Sequence, residues 1–285
     1  MYQSKKNKII ISNNEIYYEI IGEGIPLLMI HGWGVDHRLM SGCMEPIFEK
    51  NEYPIQRIYF DLPGMGQSKA DYAIQNSDGV LNLILTFIDE VIPNQPFLLA
   101  GESYGGYLAR ALVQKRSEQL LGLLLICPLV IPGYREGNVP SMTVLEKDNE
   151  FLESLNEKQR SSFESITIVQ TKEVWESFEK DIYVALALSD HNFLNHHLDG
   201  SFTYDITILD KPFEKPSLFI MGRQDTEVGW KDQFQLMEDY PRASFVVLDK
   251  AGHNLQIEQF ELFKHLVNEW ITRSLPDIYQ SLKEL

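Results

Sequence analysis

The sequence predicts an α/β fold: a doubly wound, mostly parallel sheet of about eight strands, with a helical cap inserted between two of them. Short, near-continuous apolar runs bounded by Gly, Pro or Asp are typical of strands that are covered on both faces, as in a parallel sheet. Amphipathic helical patterns separate these runs, and such alternation predicts right-handed crossovers. The third observation is one long interval with helical patterns only. The six apolar runs are residues 27–30, 58–60, 97–99, 121–126, 217–221 and 245–248.

Two further strands are predicted ahead of these runs. The segment KIIISNNEIYYEI contains Asn13 and Asn14, which tolerate the positive φ that a tight hairpin turn requires. The helices that alternate with the strands are predicted at residues 80–91, 104–115, 230–237 and 258–271.

The interval from about residue 131 to residue 210 contains no convincing buried strand. Amphipathic helical stretches occur at 144–155 and 174–188, and the pairs Pro132-Gly133 and Lys211-Pro212 mark hinges at its two ends. We therefore predict a core of residues 1–130 and 213–285 and a helical cap of residues 131–212. Because ligands of such sheets bind beyond the carboxyl ends of the strands, the cap is expected to cover the binding site.

The charge of the chain makes several classes of binding partner unfavourable. The chain carries 25 Lys and Arg against 41 Asp and Glu, a formal net charge of −16, which repels phosphate backbones and anionic lipid surfaces. We expect no nucleic-acid and no membrane partner, but a small-molecule substrate.

Cys43 and Cys127 form neither a disulfide framework nor a zinc-ligand spacing. The sequence has no signal-peptide pattern and no apolar run near the roughly 18 residues of a membrane span, so we expect a cytoplasmic protein. The sequence leaves the oligomeric state open.

The stretch Gly101-Glu102-Ser103-Tyr104-Gly105 fits the pattern G-x-S-x-G at the joint between an apolar strand and an amphipathic helix. Glycines at both ends of this pattern allow a turn so tight that the serine hydroxyl is exposed. A plain helix N-cap would explain Ser103 but not the two glycines. We therefore predict that Ser103 is a nucleophile.

Serine at neutral pH needs a general base and a carboxylate that orients it. His253 follows the last apolar run, and Asp225 follows the run before it, so both are expected at carboxyl ends of strands. Asp210 and Asp249 also lie near strand ends and are weaker alternatives for the acid. The order Ser103, Asp225, His253 is the one expected for G-x-S-x-G on this kind of sheet.

An acyl-transfer site also needs N–H donors for the oxyanion. The backbone N–H of Tyr104 is one candidate, because it opens a helix; the N–H of Trp33, in the loop His31-Gly32-Trp33-Gly34, is the other.

Other polar residues are expected to have structural roles. His31 is expected to brace its loop, and Asp61 to stabilise a turn. The histidines at 191, 196 and 197 lack the i, i+4 spacing of a helical metal site, so we predict no metal and no cofactor.

Five motifs in order resemble the α/β-hydrolase superfamily: residues 31–34, 61–68, 101–106, 222–225 and 252–253. The resemblance implies a triad of Ser103, His253 and Asp225, oxyanion donors at Trp33 and Tyr104, and a cap that shapes the pocket. Members with an aspartate nucleophile are disfavoured because position 103 is serine, and prolyl iminopeptidases usually have HGGPG where this chain has HGWGV.

The resemblance implies a serine hydrolase that cleaves a small or medium carboxylic ester, or a related acyl compound, through an acyl-enzyme. Three alternatives stay open. The first is a carbon–carbon bond hydrolase of the meta-cleavage-product type, whose elbow often has Met where this chain has Tyr104. The others are acyl transfer to an acceptor other than water and a non-catalytic ligand-binding protein of the same fold.

Overall fold

The computed structural model describes residues 4–49, 54–133, 139–207 and 209–275. Its strands are β1 (Lys5–Ile11), β2 (Asn14–Ile21), β3 (Ile25–Ile30), β4 (Ile55–Phe60), β5 (Phe97–Glu102), β6 (Leu120–Ile126), β7 (Glu146–Lys147), β8 (Val169–Gln170), β9 (Ser217–Gly222) and β10 (Ala243–Leu248). Its α-helices are α1 (Arg38–Phe48), α2 (Ser77–Val91), α3 (Tyr104–Arg116), α4 (Asn149–Ser154), α5 (Glu157–Glu164), α6 (Lys172–Phe178), α7 (Val184–Leu186), α8 (His191–His196), α9 (Leu255–Glu258) and α10 (Phe260–Ser274). Ser117–Gln119 and Asp232–Asp239 are 3₁₀-helical, and Glu179–Tyr183 is π-helical.

Eight of the described strands form one sheet in the order β1-β2-β4-β3-β5-β6-β9-β10. β2 pairs antiparallel with β1 and with β4, whereas the remaining neighbours are parallel. The predicted fold class, a mostly parallel sheet of about eight strands, is confirmed.

The sheet is covered on both faces. Leu28 and Ile30 of β3 belong to a buried cluster with side chains of α2 and α3, whereas Leu27 and Met29 belong to a second cluster with α1 and α10. Successive residues of a strand point to opposite faces, so a strand covered on both sides requires a continuous apolar run. Because β3, β5, β9 and β10 run in the same direction, their carboxyl ends share one edge of the sheet.

The hairpin turn between β1 and β2 lies one residue earlier than predicted. Ser12 and Asn13 take positive φ angles of 46° and 67°, and Asn14 already belongs to β2. The Asn14 side-chain amide donates to the carbonyls of Ile11 and Ser12 at 3.1 and 3.0 Å, so it stabilises the turn from the strand.

Several helices differ from their predictions. Helix α1 was not predicted, because its N-cap His37 makes no capping hydrogen bond and Pro46 lies inside it. The helix predicted over 258–271 is observed as α10, which begins at Phe260; Gln259, whose backbone leaves the helical region, separates it from α9. The predicted helix 144–155 is reduced to α4, because the Asp148 carboxylate accepts the Phe151 N–H at 3.0 Å and fixes the helix start there. Residues 230–237 overlap the 3₁₀ segment rather than an α-helix.

The interval that lacks an apolar run contains α4 to α8. Two short strands within it, β7 and β8, pair in parallel. Phe163, Trp175 and Phe178 form a third buried cluster that also contains Val35 and Leu39 from the loop after β3 and from α1. The division into a core and a cap at residues 131 and 212 stays a prediction. None of the helices in the described ranges is both long enough and apolar enough to cross a lipid bilayer.

Candidate active site

Ser103 lies in a strained turn between β5 and α3. Its φ and ψ angles are 52° and −116°, in a region that side-chain-bearing residues rarely adopt. A Cβ atom on Gly101 would lie 2.4 Å from the carbonyl oxygen of Gly105, and one on Gly105 would lie 2.2 Å from that of Ile30. Only glycine fits at these two positions, so the pattern G-x-S-x-G has the close packing expected of it.

Ser103, His253 and Asp225 come together at the carboxyl edge of the sheet. The hydroxyl Oγ of Ser103 lies 3.0 Å from Nε2 of His253, and Nδ1 of His253 lies 2.9 Å from Oδ2 of Asp225. The other oxygen of Asp225 accepts the backbone N–H groups of Glu227 at 2.9 Å and Val228 at 3.0 Å. These two bonds hold the carboxylate in place. The carboxylate in turn sets the orientation and tautomer of the imidazole, because Nδ1 of His253 must carry the proton that it donates to Asp225.

Opposite charges shift the pKa values of this pair. Burial alone would raise the pKa of Asp225, but His253 and the two backbone N–H groups lower it, so the carboxylate stays ionised. Burial disfavours the His253 imidazolium, yet the nearby carboxyl groups, Asp225 first and Glu102 after it, raise the pKa of His253 above its ordinary value.

Glu102, the residue before Ser103, is a second carboxyl group at the imidazole. Its Oε1 lies 3.4 Å from Nε2 of His253, and its side chain is only 3% exposed. Burial raises the pKa of Glu102 to about 8, with Asp225 adding to the shift and His253 opposing it. Nε2 therefore faces both the Ser103 hydroxyl and a carboxyl group that burial keeps largely protonated at neutral pH.

The loop after β3 lies against the turn at Ser103. A Cβ on Gly32 would lie 2.4 Å from Oε2 of Glu102, so a larger residue there would displace the Glu102 carboxyl group. The Trp33 ring packs edge-on against the Tyr104 ring, with centroids 5.0 Å apart. Tyr104 is the first residue of α3, so its N–H has no acceptor within the helix. The N–H groups of Trp33 and Tyr104 stay predicted oxyanion donors.

His31 and Asp61 brace the surrounding loops, as expected from the sequence. Nε2 of the fully buried His31 accepts the Leu62 N–H at 2.9 Å, so Nδ1 carries the proton and donates to the Gly32 carbonyl at 2.8 Å. Asp61 accepts both the backbone N–H of His37 at 2.8 Å and its ring Nδ1 at 2.7 Å.

Two groups of side chains among the described residues have donor atoms close enough to share a metal ion. In both, hydrogen bonds already join members of the group, His253 to Asp225 in one and His37 to Asp61 in the other. Each bond accounts, without an ion, for the short distance between two members of its group. The groups are Cys127, Asp225 and His253, and Asp36, His37 and Asp61.

Ser103 lies between two cavities, and Trp33 also lines both. The first, of about 330 Å³, lies on the His253 side, beneath residues of α5 to α7. The second, of about 510 Å³, lies on the Tyr104 side and is lined by Leu129 and residues 132–133 and 199–201. A serine between two pockets is suited to a substrate with a group on each side of the bond that is broken.

The sequence pattern of the alpha/beta hydrolase family matches residues 27–264. The chain belongs to the alpha/beta hydrolase family. The pimeloyl-[acyl-carrier protein] methyl ester esterase of Shewanella oneidensis is 28% identical to it over 274 residues, which cover 92% of this chain and 97% of that protein. An alpha/beta superfamily hydrolase from Oenococcus oeni has a similar crystal structure, with a TM-score of 0.84 and 28% identity over 94% of this chain and 99% of the other.

A thermophilic esterase from Thermogutta terrifontis shares the fold, with a TM-score of 0.69 and 21% identity over 95% of this chain and 99% of the other. Family membership and these relatives establish this alpha/beta hydrolase as a hydrolase, as the resemblance in sequence implied.

Two acidic residues at the site of this alpha/beta hydrolase, Glu102 and Glu258, were not predicted from its sequence. Glu102 lies at a variable position of G-x-S-x-G, so the motif does not point to it. Its functional position could have been inferred because an acidic residue is unusual at the end of a strand that is buried on both faces. Glu258 of α9 accepts the backbone N–H of Gly252 at 2.5 Å and that of Ile168 at 2.8 Å. It joins the His253 loop to the segment before β8, a contact across 90 residues that no local pattern predicts.

Proposed function

We propose that this alpha/beta hydrolase is a serine esterase that cleaves small or medium carboxylic esters, with Ser103 as nucleophile, His253 as base and Asp225 as its orienting acid. The proposal rests on two consecutive hydrogen bonds that connect the three side chains. Ser103 Oγ lies 3.0 Å from His253 Nε2, and His253 Nδ1 lies 2.9 Å from Asp225.

In the acylation half of the reaction, Oγ of Ser103 attacks the ester carbonyl carbon while His253 Nε2 accepts the hydroxyl proton. The carbonyl oxygen becomes an oxyanion, which the N–H groups of Trp33 and Tyr104 bind. When the tetrahedral intermediate collapses, the bond to the alcohol oxygen breaks and His253 donates its proton to that oxygen. The alcohol leaves, and the acyl group stays on Ser103.

In the deacylation half, His253 accepts a proton from water as the water oxygen attacks the acyl carbon. The second intermediate collapses, the bond to Ser103 Oγ breaks, and His253 returns the proton to the serine. Asp225 stabilises the imidazolium in both halves, because its carboxylate accepts the Nδ1 proton throughout.

The family and the relatives support this proposal. The Shewanella oneidensis relative is a methyl ester esterase by name, and it aligns with nearly the whole chain. The two cavities that meet at Ser103 provide space for an acyl group and an alcohol group, and the interval 131–212 would act as the cap over them.

The test is hydrolysis of a chain-length series of p-nitrophenyl esters by the native protein and by Ser103→Ala. We expect the variant to lose roughly a thousandfold or more in kcat/KM, because the attacking atom is gone. A fluorophosphonate should label the native protein once, at Ser103, and the exposed-serine control Ser141→Ala should be labelled equally. Full turnover by Ser103→Ala would overturn the proposal, and a carbon–carbon cleavage substrate run in parallel tests the meta-cleavage alternative.

A further inference from the structure

We propose that the site accepts esters with an uncharged or cationic acyl group and rejects esters whose acyl group carries a carboxylate. The proposal rests on the esterase function above and names its substrate class. It follows from the charges that surround Ser103.

The cavity on the His253 side has an apolar wall and acidic side chains. Among its lining residues, all of which belong to the described ranges, Glu102 and Glu227 are acidic and none is Lys or Arg. An acyl carboxylate in this space would lie near Glu227 and the buried carboxyl group of Glu102. The cationic group in this lining is His253, which Asp225 already pairs at 2.9 Å. The apolar wall consists of Trp33, Val35, Leu39, Ile166, Phe178, Ile182, Leu186 and Val228.

Glu102 shows that this space already disfavours negative charge. It is 97% buried and lies beside the reaction centre, and burial together with the Asp225 carboxylate raises its pKa to about 8. A second carboxylate entering from solvent would lose its hydration and meet the same field.

The second cavity has the same polarity. Asp199 lines it, and no Lys or Arg occurs among its described lining residues. The described lining of both cavities therefore places acidic side chains, and no Lys or Arg, near an acyl group.

Two basic side chains close in sequence to lining residues of the first cavity make other contacts. Arg38 pairs with Asp36 at 2.5 Å, and Lys180 lies 3.7 Å from the carboxylate of Asp181. The interval 131–212 carries 7 Lys and Arg against 15 Asp and Glu, so the field outside the cavities is also negative.

The test compares three p-nitrophenyl esters at pH 7.5 and low salt: the valerate, the mono-glutarate and the methyl-capped glutarate. The valerate and the mono-glutarate have acyl chains of the same length, and the methyl-capped diester is larger than the mono-glutarate but uncharged. We expect kcat/KM for the mono-glutarate to be at least about tenfold lower than for the other two. High salt should narrow the gap, because it screens the partly exposed charges.

Two variants locate the effect. Glu227→Gln should reduce the ratio between valerate and mono-glutarate several-fold, and Glu227→Lys should reduce it further. The ratio cancels any common effect of Glu227 on His253. The control Glu173→Gln, an exposed acid on α6 that lines neither cavity, should leave the ratio as in the native protein.

The outcomes separate the two proposals. If the mono-glutarate is cleaved within twofold of the valerate, or if the methyl-capped ester is as poor as the mono-glutarate, charge selection is wrong while the esterase function stands. If none of the esters is cleaved in a Ser103-dependent way, the esterase function fails and charge selection falls with it.

Discussion

Two carboxyl groups flank the imidazole of His253, and their environments drive their ionisation in opposite directions. Asp225 accepts three hydrogen bonds, one from Nδ1 and two from backbone N–H groups, and its pKa is lowered although it is fully buried. Glu102 is just as buried and lies near Nε2, yet its pKa is raised to about 8. Burial acts on both groups, so the charge of the His253 imidazolium and the hydrogen bonds to Asp225 decide that Asp225 is the fixed anion.

Replacing the two acids should therefore have very unequal effects on turnover. Asp225→Asn is expected to lower kcat/KM by about 10³- to 10⁴-fold, because an amide no longer holds the proton on Nδ1. Glu102→Gln is expected to cost less than about tenfold, because Glu102 orients no proton in the reaction. Steady-state kinetics with one p-nitrophenyl ester measures both. Equal losses of kcat/KM in the two variants would mean that Asp225 and Glu102 do not differ in role.

Glu258 extends the comparison to a buried carboxyl group with two backbone hydrogen bonds. Burial raises its pKa to about 7 despite the N–H groups of Gly252 and Ile168 that lower it. Glu258→Ala would leave both buried donors without a partner, and we expect a loss of roughly 2–4 kcal/mol in the free energy of unfolding.

Chemical denaturation measures this loss. Glu258→Gln, which keeps one acceptor oxygen, should lose less than the alanine variant, and Glu173→Ala on the outer face of α6 should lose almost nothing. A Glu258→Ala variant as stable as the native protein would show that water replaces the carboxylate at both donors.

Glu102 should also be visible in the dependence of stability on pH. Its folded-state pKa of about 8 lies above its ordinary value of 4.5, so between these pH values the folded protein binds a proton that the unfolded chain has lost. Stability from this group is therefore present at low pH and falls as pH rises from about 4.5 to 8. The melting temperature should drop by several degrees between pH 5 and pH 8.5, and Glu102→Gln should flatten this slope. An unchanged slope in the variant would assign it to other groups.

The smallest expected effect is on the pH profile of activity. In the proposed reaction His253 must be neutral, and Asp225 raises the pKa of its imidazole; Glu102 adds to this only where it is ionised. Because Glu102 is largely protonated below its pKa of about 8, Glu102→Gln should move the acid limb of kcat/KM to lower pH by less than about one unit. Profiles of the native protein and of Glu102→Gln test this; a larger shift to lower pH would show that Glu102 is charged during turnover, and an upward shift would contradict its effect on the imidazole.

Local pattern was sufficient for the sheet and for the sites at its edge. A strand covered on both faces must be apolar along its length, so the runs that contain Leu28 and Leu99 could be read directly from the sequence. Ser103, Asp225 and His253 were found because each follows such a run, and parallel strands bring their carboxyl ends to one edge. The turn geometry at Gly101 and Gly105 is likewise local.

The roles of Glu102 and Glu258 were decided by tertiary contacts. The sequence alone does not show whether an acidic residue is exposed or buried. Its pKa depends on which atoms surround it in the folded chain. Glu258 meets Ile168, 90 residues away, and Glu102 meets an imidazole 151 positions later, so no window of sequence contains either pair. The sequence by itself determined the sheet and the three residues at its edge. Only the fold decided which buried carboxyl group is charged, because folding brings the imidazole of His253, 28 positions along the chain, to within 2.9 Å of Asp225, while burial raises the pKa of Glu102.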